Sequence, residues 1–206
     1  MAPPQGDTAT YRERLILASA SPRRLELLQS AGWHVEVRPA DVDESLLPGE
    51  LPAAYVLRLA RAKAHAAFTS LAPASIPILG ADTTVVLDGV ILAKPTGDAD
   101  ATAMLTRLSG RVHEVWTGVC LLAPDGAECS AVESTRVAFA PLSAADIAAY
   151  VATGEPRDKA GAYAIQGRAA RFIPRIEGSY SNVVGLPLAL VWDLWRAAAI
   201  APAAGG

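Results

Sequence analysis

Apolar and polar positions change their period several times along the chain, and each change marks a predicted element. RLILAS, residues 14–19, is a short apolar run that reads as a strand ending at Ser19. Ser21 and Pro22 then fit the N-cap and first position of a helix, because proline lacks only an N–H that the first turn leaves unbonded anyway. Leu25, Leu27 and Leu28 give that helix an apolar face, and Gly32 stops it. HVEVRPA alternates as a second strand, and residues 50 to 71 repeat at three- and four-residue spacings through Tyr55, Leu59 and alanines up to Ala66, predicting a long helix. PILGADTTVVLDGVILAKP holds two apolar runs, the first interrupted by Asp82-Thr83-Thr84; Asp88-Gly89 between the runs predicts a tight hairpin.

Beyond the hairpin, a helix is predicted from Asp98 to Leu108, stopping near Gly110. Two long strands, VHEVWTGVCLLAP and CSAVESTRVAFAPL, turn at Pro124-Asp125-Gly126. Ser143 caps a helix through Tyr150 that Gly154 ends, and a last helix covers residues 188–199. No period of 20 to 50 residues recurs. Strands interleaved with helices predict one mixed α/β domain over residues 11–200, and the Pro-, Ala- and Gly-rich ends, 1–10 and 201–206, are expected to be flexible.

Composition narrows the function. With 206 residues, 51% of them hydrophobic, the chain can bury a sizeable core. Its net charge of −3, without any lysine- or arginine-rich run, argues against nucleic acid as a partner. No apolar stretch approaches the roughly 18–20 residues of a membrane span, and MAPPQGDTAT lacks the charged and apolar segments of a secretory signal, so a cytoplasmic protein is expected. Cys120 and Cys129 are expected as free thiols on neighbouring strands. Phosphate-loop, dinucleotide-fold and nucleophile-elbow motifs are absent, and His34, His65 and His113 have no ligand spacing, which disfavours a catalytic zinc or a serine triad.

Several polar residues then stand out. Ser19, Ser21, Arg23 and Arg24 gather at a strand end and a helix start, where N–H groups, hydroxyls and guanidinium groups make an anion site. Arginine is electrostatically disfavoured there, so the pair calls for a negative partner. Asp82 is a carboxylate in an apolar strand, costly unless it binds a proton, metal or cation. Asp41, Asp43 and Glu44 could add carboxylates, though such acidic loops are commonly only solvated. Against fifteen arginines the chain keeps only Lys63, Lys94 and Lys159, as if a compact point charge were wanted at those places. Oxygen donors, lysines and arginines without a His/Cys cluster suit Mg²⁺ or Mn²⁺ with a polyphosphate. Gln166, in a glycine-punctuated segment, can donate and accept, which suits the edge of a nucleobase.

LILASASPRRLELLQSAG, ILGADTTVVLDGVILAKP, LSGRVHEVWTGV and DKAGAYAIQGRAARFIPRIEGSYSNVVGLPL together resemble the Maf family of nucleoside triphosphate pyrophosphatases, in consistent order from Leu15 to Leu190. The resemblance implies an elongated α/β fold related to that of the inosine triphosphate pyrophosphatases, with a central mixed sheet flanked by helices and a cleft between two lobes. It implies metal-dependent hydrolysis of the α–β phosphoanhydride of a nucleoside triphosphate. It makes Asp82 the general base, and puts phosphate or metal contacts at Ser19, Arg23, Glu44, Lys63, Lys94, Asp100 and Lys159; because a carboxylate with an ordinary pKa of about 4 is a weak base at neutral pH, metal ligation by Asp82 stays open beside it. Arg23, Thr83 and Gln166 resemble the subfamily acting on dTTP and UTP. KPTGDADA is longer than the matching string of many members, which bears on the alignment of Asp98 and Asp100. A homodimer, a purine (inosine or xanthosine) triphosphatase and a nucleotide-sensing regulator of cell division stay open at this point.

Overall fold

The computed structural model describes residues 13–71 and 74–198; the two predicted flexible ends and the last residue of the predicted final helix lie outside them. In chain order the strands are β1 (Arg14–Leu17), β2 (His34–Val37), β3 (Ile78–Leu87), β4 (Val90–Leu92), β5 (Val112–Leu122), β6 (Glu128–Ala138) and β7 (Arg175–Glu177). The helices are α1 (Pro22–Ser30), α2 (Pro52–Ser70), α3 (Asp98–Leu108), α4 (Ala144–Val151), α5 (Tyr180–Val184) and α6 (Leu188–Ala197). Three 3₁₀ turns, Glu155–Asp158, Ala160–Ala162 and Arg168–Phe172, join α4 to β7. The predicted elements are all present; the 3₁₀ turns, β7 and α5 are additions. Ser21 caps α1 with Pro22 in its first turn, and Ser143 and Asp146 form a reciprocal cap on α4.

The strands form one mixed sheet ordered β2-β1-β3-β5-β6-β7, with β4 paired to β3. β1 is parallel to β2 and β3, while β4, β5, β6 and β7 join through antiparallel pairs. Alternation sends Leu15, Leu17, Leu79 and Leu121 into a core with α1 and α6, and Ile16, Ile78, Cys120 and Leu122 into a core against the alanines of α2. Both faces of β3 are therefore covered, which is why it reads as a nearly continuous apolar run. A third core joins Val85, Leu105 and Leu108 to Val137, Tyr150 and Phe172, so the far end of the sheet carries its own lobe of α3, α4 and the 3₁₀ turns.

Close approach of α2 to the sheet depends on two glycines. A Cβ on Gly80 of β3 would run into the Ala60 carbonyl, and one on Gly118 of β5 into the Val56 carbonyl. Gly118 is the register partner of Asp82, so the carboxylate stands beside one of the two places where the helix backbone comes close to the sheet. Cys120 stands opposite Ser130 and Cys129 opposite Leu121, which turns the two thiols to opposite faces; both are free.

Candidate active site

A cleft of ≈ 640 Å³ opens between the α1 end of the sheet and the 3₁₀ segment, in the size range of a site for a nucleotide-sized ligand. Ser19, Arg23, Glu44, Lys63, Asp82, Thr83, Lys94, Lys159 and Gln166 all line it. These residues arrive from six separate stretches of chain. Asp100 does not join them: its Oδ2 accepts hydrogen bonds from the Thr96 backbone N–H at 2.9 Å and the Thr96 hydroxyl at 3.2 Å, closing the first turn of α3. Of the three metal-ligand candidates expected from the sequence, Glu44 and Asp82 line the cleft and Asp100 does not.

Lys63 projects from α2 into a buried slot, 8% exposed, and donates to Asp82 Oδ1 at 2.7 Å. Glu44 Oε1, from the loop before α2, meets the same ammonium at 2.6 Å. Two carboxylates of different origin thus converge on one cation, and Asp82 is itself only 8% exposed. Burial raises the Glu44 carboxyl, but its hydrogen bond to Lys63 and the charges of Lys63, Lys94 and Arg24 outweigh that, holding it below the usual carboxylate range. Tyr55 donates its hydroxyl to the Glu44 carbonyl at 3.0 Å, tying the loop to α2.

Thr83 leaves β3 on the opposite face from Asp82 and meets a second cationic residue there. Arg24, 8% exposed, donates from Nε to the Gly185 carbonyl at 2.8 Å, from NH1 to Ser19 Oγ at 2.9 Å and from NH2 to Thr83 Oγ1 at 3.0 Å. Every one of these acceptors is neutral. Burial pushes the guanidinium pKa down and Arg23 adds to the effect, while Asp82 and Glu44 oppose it. Among the described residues Arg23, Arg24 and Lys94 take part in no salt bridge, whereas Lys159 meets Asp158 at 2.6 Å. A buried arginine without an anionic partner is a costly arrangement that a bound anion relieves.

Arg24 is the residue that the sequence reading underweighted relative to Arg23. The available signal was helical spacing: Arg24 lies four positions before Leu28, on the inward face of α1, while Arg23 is less buried at the cleft wall. The register partner of Thr83, Thr117, was not anticipated either; their hydroxyls lie 2.9 Å apart. Among the described residues no group of three or more His, Cys, Asp or Glu side chains is arranged to hold a metal by itself, and no helix is long and apolar enough to cross a membrane.

Comparison with known proteins follows the same outline. The family model described as Maf-like protein matches residues 14–198. A dTTP/UTP pyrophosphatase of Anaeromyxobacter sp. (strain Fw109-5) is 56% identical over 189 residues, covering 90% of this chain and 89% of that one. A dTTP/UTP pyrophosphatase of Geobacter sulfurreducens is 54% identical over 190 residues, covering 91% and 98%. Among solved structures, the Staphylococcus aureus Ham1 protein aligns at a TM-score of 0.46 and 16% identity, covering 62% of this chain and 72% of that one.

Proposed function

The chain belongs to the Maf-like protein family, and from that premise we propose that it is a nucleoside triphosphate pyrophosphatase that hydrolyses the α–β phosphoanhydride of dTTP and UTP, giving the monophosphate and pyrophosphate, in the cytoplasm. The observation that carries the reading is the pairing, in one cleft, of a buried Lys63–Asp82 ion pair, joined from the loop by the Glu44 carboxylate, with a buried arginine that has no anionic partner among the described residues. The relatives named as acting on dTTP and UTP match most of the chain at more than half identity.

In this reading Arg24, Lys94 and Lys159 neutralise the phosphate oxygens, and the hydroxyls of Ser19 and Thr83 hold the guanidinium in the orientation that presents it. Asp82 orients the attacking water from the α2 side of the cleft, with Lys63 fixing the carboxylate. Glu44 and Asp82 offer hard oxygen donors that already converge on one cation, a donor set that fits Mg²⁺ or Mn²⁺ bound by one or two carboxylates together with substrate phosphates. Such a metal, when bound, would supply charge neutralisation and lower the pKa of a coordinated water. Gln166 reads the base: its amide offers one donor and one acceptor, which match the O4 acceptor and N3–H donor of thymine and uracil. Comparing kcat/KM for dTTP, UTP, CTP, GTP and 7-methyl-GTP by pyrophosphate release tests the assignment. The pyrimidines dTTP and UTP should lead; a guanine nucleotide as best substrate would refute the substrate assignment, and binding without turnover would favour a nucleotide sensor.

A further inference from the structure

Glu155 takes no part in the charge pairing of the cleft, yet its carboxylate is used twice. Oε1 accepts from the Tyr150 hydroxyl at 2.8 Å and Oε2 from the backbone N–H of Arg168 at 3.1 Å. The Tyr150 hydroxyl accepts in turn from the Ala164 N–H at 3.3 Å. The pair thereby holds both ends of the segment 164–168, which closes on itself through the Gly167 N–H to the Ala164 carbonyl at 3.1 Å. The middle residue of this segment is Gln166. A Cβ at position 167 would run into the Glu155 carboxylate, so a side chain there would push Glu155 off its contacts.

The Gln166 side chain is exposed and makes no hydrogen bond to another described residue, so its placement in the cleft is decided by the backbone that carries it. A free amide serves thymine in one orientation and, turned over, cytosine in the other. Turning over is a side-chain rotation; what a held backbone sets is where in the cleft, and how close to the base, the amide is presented. The Tyr150 ring is fully buried in the core of the second lobe, so the hydroxyl at its tip is a fixed point.

We propose that Glu155, acting with Tyr150, is a positioning residue for base selection: it latches the 164–168 segment so that the Gln166 amide is presented at a fixed place against the base. This rests on the reading of Gln166 as the base contact. Lys159 Nζ also donates to the Glu155 backbone carbonyl at 2.9 Å, a contact that any side chain at 155 preserves. The latch is thus separable from phosphate binding.

The test compares kcat/KM for dTTP and CTP in wild type, Glu155→Ala, Glu155→Gln, Tyr150→Phe and Gln166→Ala, with amide hydrogen exchange at Ala164 and Arg168. In Glu155→Ala the dTTP-to-CTP ratio should fall about tenfold, the scale of two lost hydrogen bonds, through a higher KM for dTTP while kcat stays within about threefold. Exchange at both amides should quicken. Glu155→Gln keeps an oxygen for Arg168 and a second group for Tyr150, and should retain most of the ratio. Tyr150→Phe keeps the core ring and should lower the ratio by a smaller factor, carrying the test if Glu155→Ala does not fold. A ratio that collapses in Gln166→Ala but is unchanged in Glu155→Ala and Tyr150→Phe overturns the latch alone. An unchanged ratio in Gln166→Ala overturns the reading of Gln166 and the latch with it.

Discussion

Asp82 and Lys63 occupy one buried contact, so at the scale of single residues their substitutions separate chemistry from fold. Asp82→Asn keeps shape but can neither take a proton nor supply a charged ligand. We expect turnover to fall about 100- to 10,000-fold, the span that loss of a general base covers, with little change in melting temperature. Activity within a few-fold of wild type would sink the role given to Asp82, and metal affinity measured in the same variant distinguishes base from ligand. Lys63→Arg and Lys94→Arg keep the charge but replace a point donor by a planar fork. In the Lys63 slot, closed by two carboxylates, the fork displaces its neighbours, and a shift of about an ångström costs on the order of 100-fold in rate. Normal activity in both variants would end the argument from lysine usage. The lysines, Asp82 and Gln166 were legible in the sequence because each is chemically out of place in its local string. Arg24 was less so, since two adjacent arginines look alike until the helix phase decides which one turns inward. Asp100 lies off the cleft, its carboxylate used by Thr96, because an acidic residue in a helix's first turn serves the helix itself as readily as a ligand.

Elements position these groups through backbone approach. α2 lies on β3 and β5 at a distance that only Gly80 and Gly118 permit, and that distance sets the reach of Lys63 to Asp82. Gly80→Ala should destabilise the fold by about 1–3 kcal/mol, the usual cost of overpacking, and should lower kcat further than the folded fraction accounts for. Chemical denaturation and activity on one sample check both parts; a stability loss with unchanged kcat per folded molecule would break the link between helix packing and the site. The long strands and α2 were readable because their periods run for many residues. The 3₁₀ turns, α5 and β7 were not, being three to five residues each and held by long-range contacts such as Asn182 Nδ2 to the Val115 carbonyl at 3.0 Å. Glycines in that stretch announced turns without saying which way the chain went.

The molecule as a whole carries a pH dependence that is separate from catalysis. His113 is buried between Phe139 and Tyr163, its Nε2 2.7 Å from the Tyr163 hydroxyl and its Nδ1 without a partner among the described residues. Burial lowers its pKa from 6.5 to about 4, so the folded state keeps the ring neutral while the unfolded chain takes up a proton. Stability from this group is complete above pH 6.5 and declines as the pH falls toward about 4, by roughly 3 kcal/mol in total. Glu44, with its carboxyl held low, gives the same sign at lower pH, discounted because its side chain is 46% exposed. His113→Gln should be less stable than wild type at pH 7.5, and the gap should narrow by pH 5; a gap that stays constant would mean that His113 does not titrate as described.

Cleavage between the α and β phosphates is the reaction proposed for this cleft. Its most direct measurement is product analysis of purified protein with dTTP and Mg²⁺ or Mn²⁺, alongside Asp82→Asn. Wild type should give dTMP and pyrophosphate in equal amounts, and the variant almost none. Release of dTDP and inorganic phosphate, or equal product from Asp82→Asn, would contradict the proposal.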